Sequence, residues 1–219
     1  MYALALDGNK LPCRVQSSNA GQVLFSGIAS SDRAKRIAEA LMTPECFSGW
    51  GVRTISTAER RYNPMSYHNG SVWPHDNALI ALGLARYRAK NEVARIFRAQ
   101  FDAATYLDLH RLPELFCGFS RFAGRGPTLY PVACAPQAWA AGAFFAFLQA
   151  SLGLKQDPWK KEIRFQTPTL PNFLDEVVLR GLTAGAGSAD VMIRRHGTRT
   201  SLEVLRTQGN VDVKTDLED

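Results

Sequence analysis

The sequence predicts a mainly α-helical fold that ends in a small antiparallel β appendage, and three observations carry that prediction. Apolar residues recur at helical spacing through the first two thirds of the chain. Ser, Asn, Pro and Gly stand where such helices would start and stop. Beyond the proline-punctuated stretch Asp157-Pro158 to Leu170-Pro171 the pattern changes to short β-like runs separated by glycines. The expected division is therefore 1–156, helical, and 157–219, a linker and a small C-terminal β-strand region. With 219 residues, 46% hydrophobic and 21% charged, the chain is long enough for one good core or two small ones.

Each element has its own signal. Ser17, Ser18 and Asn19 offer caps for a short helix through Ile28, with Ala20, Leu24 and Ile28 at helical spacing. Ser31 can cap a second helix that places Ala34, Ile37, Ala38 and Leu41 on one face. Pro74 suits the first turn of a third, in which Asp76, Ile80, Leu84 and Tyr87 share a stripe. A fourth follows Ala89-Lys90-Asn91 and carries Val93, Ile96, Phe97, Phe101, Ala104 and Leu107, before Pro113 forces Leu112 into extended geometry. A fifth runs from about Pro136 to Leu152; it is apolar nearly all round and reads as a buried core helix, with small residues that permit close approach. Glu176–Arg180, Asp190–Arg194 and Leu202–Arg206 read as strands, with Val211–Lys214 as a fourth.

Composition excludes several classes. No stretch of about eighteen apolar residues occurs, and the first residues lack the pattern of a signal peptide, so the expected location is the cytoplasm. The formal charge of +6 raises nucleic acid as a partner, but the basic residues are spread and interleaved with acids, and no recognition motif accompanies them. Cys13, Cys46, Cys117 and Cys134 show no C-x-x-C pairing, which leaves buried free thiols as the expectation. His68, His75 and Asp76 do not form a diagnostic metal-binding spacing, and no metal is expected.

The unusual chemistry lies between the predicted helices. Phe47-Ser-Gly-Trp-Gly-Val-Arg-Thr leads into Tyr62-Asn-Pro-Met-Ser-Tyr-His-Asn-Gly-Ser-Val-Trp-Pro-His-Asp-Asn, which is dense in Trp, Tyr, His, Asn and Asp and poor in aliphatics. Burying such a mixture without partners is expensive. A sugar-binding surface needs it: flat aromatic faces for the C–H faces of a pyranose, flanked by fixed donors and acceptors for the hydroxyls. The alternative is a turn-rich loop whose aromatics plug the core; the concentration favours a site.

This run and others resemble the bacterial amylo-α-1,6-glucosidase, or glycogen-debranching-type, family. The matching segments are Ser17-Ser-Asn-Ala-Gly, Phe47 to Thr54, Asn63 to Ala78, Leu112-Pro-Glu-Leu-Phe-Cys-Gly-Phe and Tyr130-Pro-Val-Ala-Cys-Ala-Pro-Gln-Ala-Trp-Ala-Ala-Gly-Ala, together covering most of residues 15 to 150. The resemblance implies the C-terminal part of an (α/α)6 toroid, six-hairpin glycosidase-like, so residues 1–156 would be a partial barrel. It also implies inverting hydrolysis of α-glucosidic bonds in an α-glucan or oligosaccharide, without a cofactor.

In such hydrolysis one carboxylic acid protonates the glycosidic oxygen and one carboxylate activates water, about 6.5–9.5 Å apart. Glu114 matches the family's late catalytic glutamate, and the resemblance gives it the general-base role. Without the resemblance, a lone loop glutamate is a solvated or capping residue. The resemblance places the acid on an aspartate of an earlier Trp-x-Asp-Ser-type loop, and no such segment exists before residue 47. Asp76 fits N-terminal helix stabilisation better than proton donation. With His68 and Asn69 it is expected to shape the pocket. Trp50, Tyr67 and Trp73 are candidates for stacking, and Arg53 and Gln137 for orientation or hydroxyl contacts. Trp139 reads as core packing. Gln22 stands where relatives of this kind are expected to carry histidine. The rival to a hydrolase is a truncated, inactive or carbohydrate-binding fragment that lacks the acid. Exposed toroid faces would lead to a homo-oligomer or to a complementing N-terminal half.

Overall fold

In a computed structural model, which describes residues 2–197 and 199–216, five α-helices form where apolar spacing predicts them. Helix α1 (Asn19–Ser26) stops at Gly27 and buries Ala20, Gly21 and Leu24. Helix α2 (Ser31–Leu41) buries Ala34, Ile37, Ala38 and Leu41 on one stripe; its capping position is Ser30, extended, and not Ser31. Helix α3 (Pro74–Arg86) begins on its proline and packs against α1. That contact is close because α1 has no side chain at Gly21, where a Cβ would lie 2.4 Å from Ile80 Cγ1. Helix α4 (Lys90–Ala104) packs on α3 through its apolar face; Phe101 is part-exposed and Leu107 lies beyond its end. Helix α5 is Ala138–Leu152.

Between α2 and α3, and between α4 and α5, the chain is irregular but closely bonded. Single antiparallel bridges join Arg53 to Val72, Val72 to Phe116, and Phe116 to Leu129. Val72 and Phe116 exchange both backbone hydrogen bonds, at 2.9 and 3.0 Å. This run of bridges brings the loop before α3 beside the segment that carries Glu114. Gly118 completes it: its N–H donates to the Pro64 carbonyl at 2.9 Å, and a Cβ there would lie 1.6 Å from the Gly70 carbonyl oxygen. The side chain of Asn77, wholly buried, accepts from Val52 N–H and donates to the Val52 and Trp73 carbonyls, pinning the loop to the first turns of α3.

The chain divides into two compact units, Met1–Phe147 and Leu148–Asp219, with the boundary inside α5. The second unit is built from strands β1 (Leu154–Asp157), β2 (Glu162–Gln166), β3 (Glu176–Ala184), β4 (Gly187–His196), β5 (Arg199–Gln208) and β6 (Asp212–Asp216). Strands β3, β4 and β5 form an antiparallel meander. A separate sheet has the order β1-β2-β6, with β1 antiparallel and β6 parallel to β2. The core of this second unit gathers Leu152, Ile163, Phe165, Val191 and Ile193, all fully buried. The inward alternation of Ile163 and Phe165 makes β2 a strand inside what reads as a linker.

Three expectations are corrected. The molecule is an α+β fold, not the mainly α, C-terminal part of an (α/α)6 toroid: five helices share the described residues with two three-stranded sheets, and the appendage is mixed rather than antiparallel. Physically, the Pro- and Gly-rich loops between the helices pair with one another through single bridges instead of forming further helices, and residues 154–216 go into strands. Nor is α5 buried all round. Ala140, Ala143, Phe147 and Ala150 form its buried stripe, while Trp139 is 49% and Phe145 78% exposed. Cys134 is likewise exposed, whereas Cys46 and Cys117 are buried.

Candidate functional site

Tyr67 is the hub of an aromatic cluster. Its ring meets His68, Trp73 and Tyr130 edge-on, with centroids 4.7, 4.8 and 5.6 Å away. Trp73, the residue before α3, is held by its indole N–H, which donates to Ser71 Oγ at 2.8 Å. His68 lies parallel to Trp73 at 6.0 Å. His75, in the first turn of α3, stacks on Trp139 of α5 at 3.9 Å and meets Trp73 edge-on at 5.6 Å. Edge-to-face and offset packing of this kind fixes ring orientation as well as burying area.

Glu114 sits half-buried against this cluster. The Tyr67 hydroxyl donates to Glu114 Oε1 at 2.5 Å, and the Cys134 N–H donates to Glu114 Oε2 at 3.3 Å. The Glu114 N–H in turn donates to the Cys134 carbonyl at 2.8 Å. Buried Leu112, Pro113 and Leu115 flank it in the chain. Each carboxylate oxygen thus has a protein donor that sets its direction. Donation to Glu114 pushes the Tyr67 phenol up to about 12, so the hydroxyl keeps its proton and its donor role at neutral pH. Burial pulls the His75 imidazole below its ordinary value, opposed by the Asp76 and Glu114 carboxylates, and its Nδ1 is out of contact with water and lacks a hydrogen-bond partner. A part-desolvated carboxylate held at both oxygens among fixed rings can accept a proton from water or hold a sugar hydroxyl.

The predicted residues distribute as follows. Glu114, Tyr67, His68 and Trp73 come together. Asp76 starts α3 beside them, its Oδ1 accepting from Gln22 Nε2 at 2.7 Å. Asn69 is exposed in the turn after Tyr67 and His68, its backbone N–H bonded to Ser66 Oγ. Gln137 lies at the start of α5, its side chain accepting from the Ala138 N–H at 3.3 Å and its backbone N–H donating to the Leu112 carbonyl at 3.5 Å. Trp50 and Arg53 are elsewhere. Trp50 packs with Val72, Ala103 and Phe116 and carries the Arg121 guanidinium over its ring at 4.5 Å. Arg53, 1% exposed, uses its guanidinium on the Gly118, Pro44 and Glu45 carbonyls and on Ser120 Oγ. A cavity of about 510 Å³ among α1, α2 and the α3–α4 turn, lined by Leu24, Ala34, Lys35 and Glu92 among others, shares no residue with the Glu114 cluster.

Sequence reasoning did not place His75 and Trp139 in one cluster. The first reads as one more polar residue of the Trp-Pro-His-Asp run and the second as one aromatic on a helix apolar on every side. Their contact joins residues 64 positions apart, and the period of neither segment encodes it. Among the described residues, no group of three His, Cys, Asp or Glu is placed to hold a metal ion.

Comparison with known proteins defines first the class, that of glycoside hydrolases: residues 6–116 match the mannosylglycerate hydrolase MGH1-like glycoside hydrolase domain. That match spans half of the chain, and the chain belongs to this family; the match does not carry the narrower amylo-α-1,6-glucosidase assignment. No curated protein matches the chain. Among solved structures, it is similar to the GH63 mannosylglycerate hydrolase of Thermus thermophilus in complex with glucose, at 21% identity and a TM-score of 0.45, covering 64% of this chain and 32% of that one. The same hydrolase with Tris gives 19% and 0.46, covering 64% and 30%. An uncharacterized conserved protein of that organism gives 20% and 0.45, covering 62% and 32%. The chain spans about a third of the length of these structures.

Proposed function

We propose that the cluster around Glu114 is the base half of an inverting glycosidase site, acting on an α-glycosidic bond of a small saccharide or α-glucan. One observation carries this reading: Glu114 is oriented by Tyr67 on one carboxylate oxygen and by a backbone N–H on the other, at the edge of the Tyr67–Trp73 rings. In this role Glu114 takes the proton of the attacking water, while the rings carry the apolar face of the sugar. His68, Asn69, Asp76 and Gln137 line or shape the approach. Family membership supports the hydrolase class, and substrates of both kinds, maltooligosaccharides and mannosylglycerate, belong in the assay.

The test compares the chain with its Glu114→Gln variant. Loss of the base is expected to lower turnover by about 10²–10⁴-fold while saccharide binding persists, and proton NMR of the nascent product should show the inverted anomer. Unchanged turnover in Glu114→Gln would remove this residue from the role.

A second reading, saccharide binding without turnover, is favoured by the Gln22–Asp76 hydrogen bond, which occupies the nearby carboxylate, and by the missing Trp-x-Asp-Ser segment. Calorimetric binding with no product from the parent chain would select it. Under that reading turnover would require a proton donor supplied by a complementing chain, or by a second copy packed on exposed apolar residues such as Ile28 and Phe145.

A further inference from the structure

We infer that His75 orients the substrate, donating from Nε2 to a hydroxyl of a neutral pyranose seated beside Trp139. The inference rests on the glycosidase reading and adds a specificity residue to it. The ring of His75 is immobilised from two sides, flat on Trp139 at 3.9 Å and 13°, and edge-on to Trp73 at 5.6 Å and 84°. Its Nδ1 is sealed from water and has no partner, whereas Nε2 is not among the sequestered atoms. A neutral imidazole has one N–H to place. Setting it on Nδ1 would strand a buried donor, which proteins tolerate less well than an unused lone pair, so the proton belongs on Nε2. The result is a rigid donor, at the accessible edge of the ring, next to a tryptophan that keeps 49% of its surface exposed.

Packing alone gives no reason for this nitrogen. Phenylalanine would stack on Trp139 equally well and would not bury an unpaired polar atom. The arrangement instead supplies what a pyranose needs, a flat apolar face with a fixed donor at its margin. Asp76 is not the partner of the buried nitrogen: Nδ1 has none, and the Asp76 Oδ1 accepts from Gln22.

The test uses the full chain carrying Glu114→Gln, so that ligand is bound and not consumed, with maltotriose and mannosylglycerate as probes. Adding His75→Phe should weaken calorimetric affinity for the bound probe by about tenfold and leave the melting temperature equal or higher. His75→Gln, which restores a donor, should recover part of the affinity and serves if the Phe variant does not fold. Nitrogen-15 NMR of the histidine ring should show the proton on Nε2, and that signal should move on titration. Equal affinity in all three proteins, or a proton on Nδ1, would overturn the assignment of His75 and leave the glycosidase reading standing. If the Glu114→Gln chain with His75 intact binds neither probe, both fall.

Discussion

Replacing Arg53 by Ala separates a structural from a ligand-binding role for the most deeply buried cation of the first unit. The residue is 1% exposed and its guanidinium faces carbonyls: Gly118 at 2.6 Å, Pro44 at 2.9 Å and Glu45 at 3.3 Å, with Ser120 Oγ at 3.0 Å. Burial pulls its pKa below the ordinary arginine value, the mark of a cation held out of water. Gly118 and Glu45 keep other donors, Tyr62 Oη and the Thr57 N–H, when Arg53 is removed. The two short bonds, to Gly118 and Pro44, are charge-assisted and contribute about 1.5–3 kcal/mol each. Together with lost packing, the expected destabilisation is about 4 kcal/mol, a fall in melting temperature of roughly 8–16 °C for a chain of this size. Circular dichroism melts measure it, with saccharide affinity followed in parallel at a temperature where the variant is folded. Arg53→Lys should be intermediate, because one ammonium cannot reach acceptors set around several sides of a planar fork. A variant that melts within about 2 °C of the parent but no longer binds saccharide would refute this account and return Arg53 to the ligand.

Two further outcomes follow from single contacts. Gly118→Ala should destabilise the first unit by about 2–3 kcal/mol, read as a lower urea midpoint, because the new Cβ would overlap the Gly70 carbonyl oxygen; an unchanged midpoint would mean that the Tyr62–Gly70 loop gives way freely. In the second unit, hydrogen bonds from Arg164 and then Lys214 hold the Glu162 carboxylate down to about 2, against an ordinary 4.5. A depressed folded-state value means that the stabilisation is complete above about pH 4.5 and is lost as the pH falls toward 2. Glu162→Gln should therefore flatten the fall in stability of this unit over that window, and an unaltered slope would place the acid sensitivity elsewhere.

Much of the fold is legible in the chain because apolar period and end signals agree. Pro74 opens α3, Gly27 stops α1, and Ala34, Ile37, Ala38 and Leu41 of α2 are buried together. The fold class is not legible in the same way. It depends on where the residues between helices go, and Arg53, Val72, Phe116 and Leu129 are joined by isolated bridges that leave no two-residue alternation to read. Strand β6 shows the same limit: Val211-Asp-Val-Lys marks a strand, but nothing local says that its partner is β2, in parallel, some fifty residues earlier. At the site, residue types draw attention to the run from Tyr62 to Asn77, yet type does not give direction. Tyr67 turns toward Glu114 and Trp73 packs on Tyr67, Arg53 is consumed by backbone carbonyls, and Trp50 packs against Phe116 and Arg121. The unbroken apolarity of α5 hides which side is covered, so the exposure of Trp139 emerges only from the packing.

The four tryptophans allow the central claim to be measured directly, since Trp73 and Trp139 belong to the Tyr67–Glu114 cluster, Trp50 packs elsewhere in the same unit, and Trp159 belongs to the second unit. The four indole N–H signals, assigned by single Trp→Phe substitutions, would be followed in nitrogen–proton correlation spectra of the Glu114→Gln chain as maltotriose or mannosylglycerate is added. A saccharide site built on Tyr67, Trp73, His75 and Glu114 predicts that the signals of Trp73 and Trp139 shift with saturation while those of Trp50 and Trp159 stay in place. Saturable shifts at Trp50 or Trp159, with Trp73 and Trp139 unmoved, would contradict it.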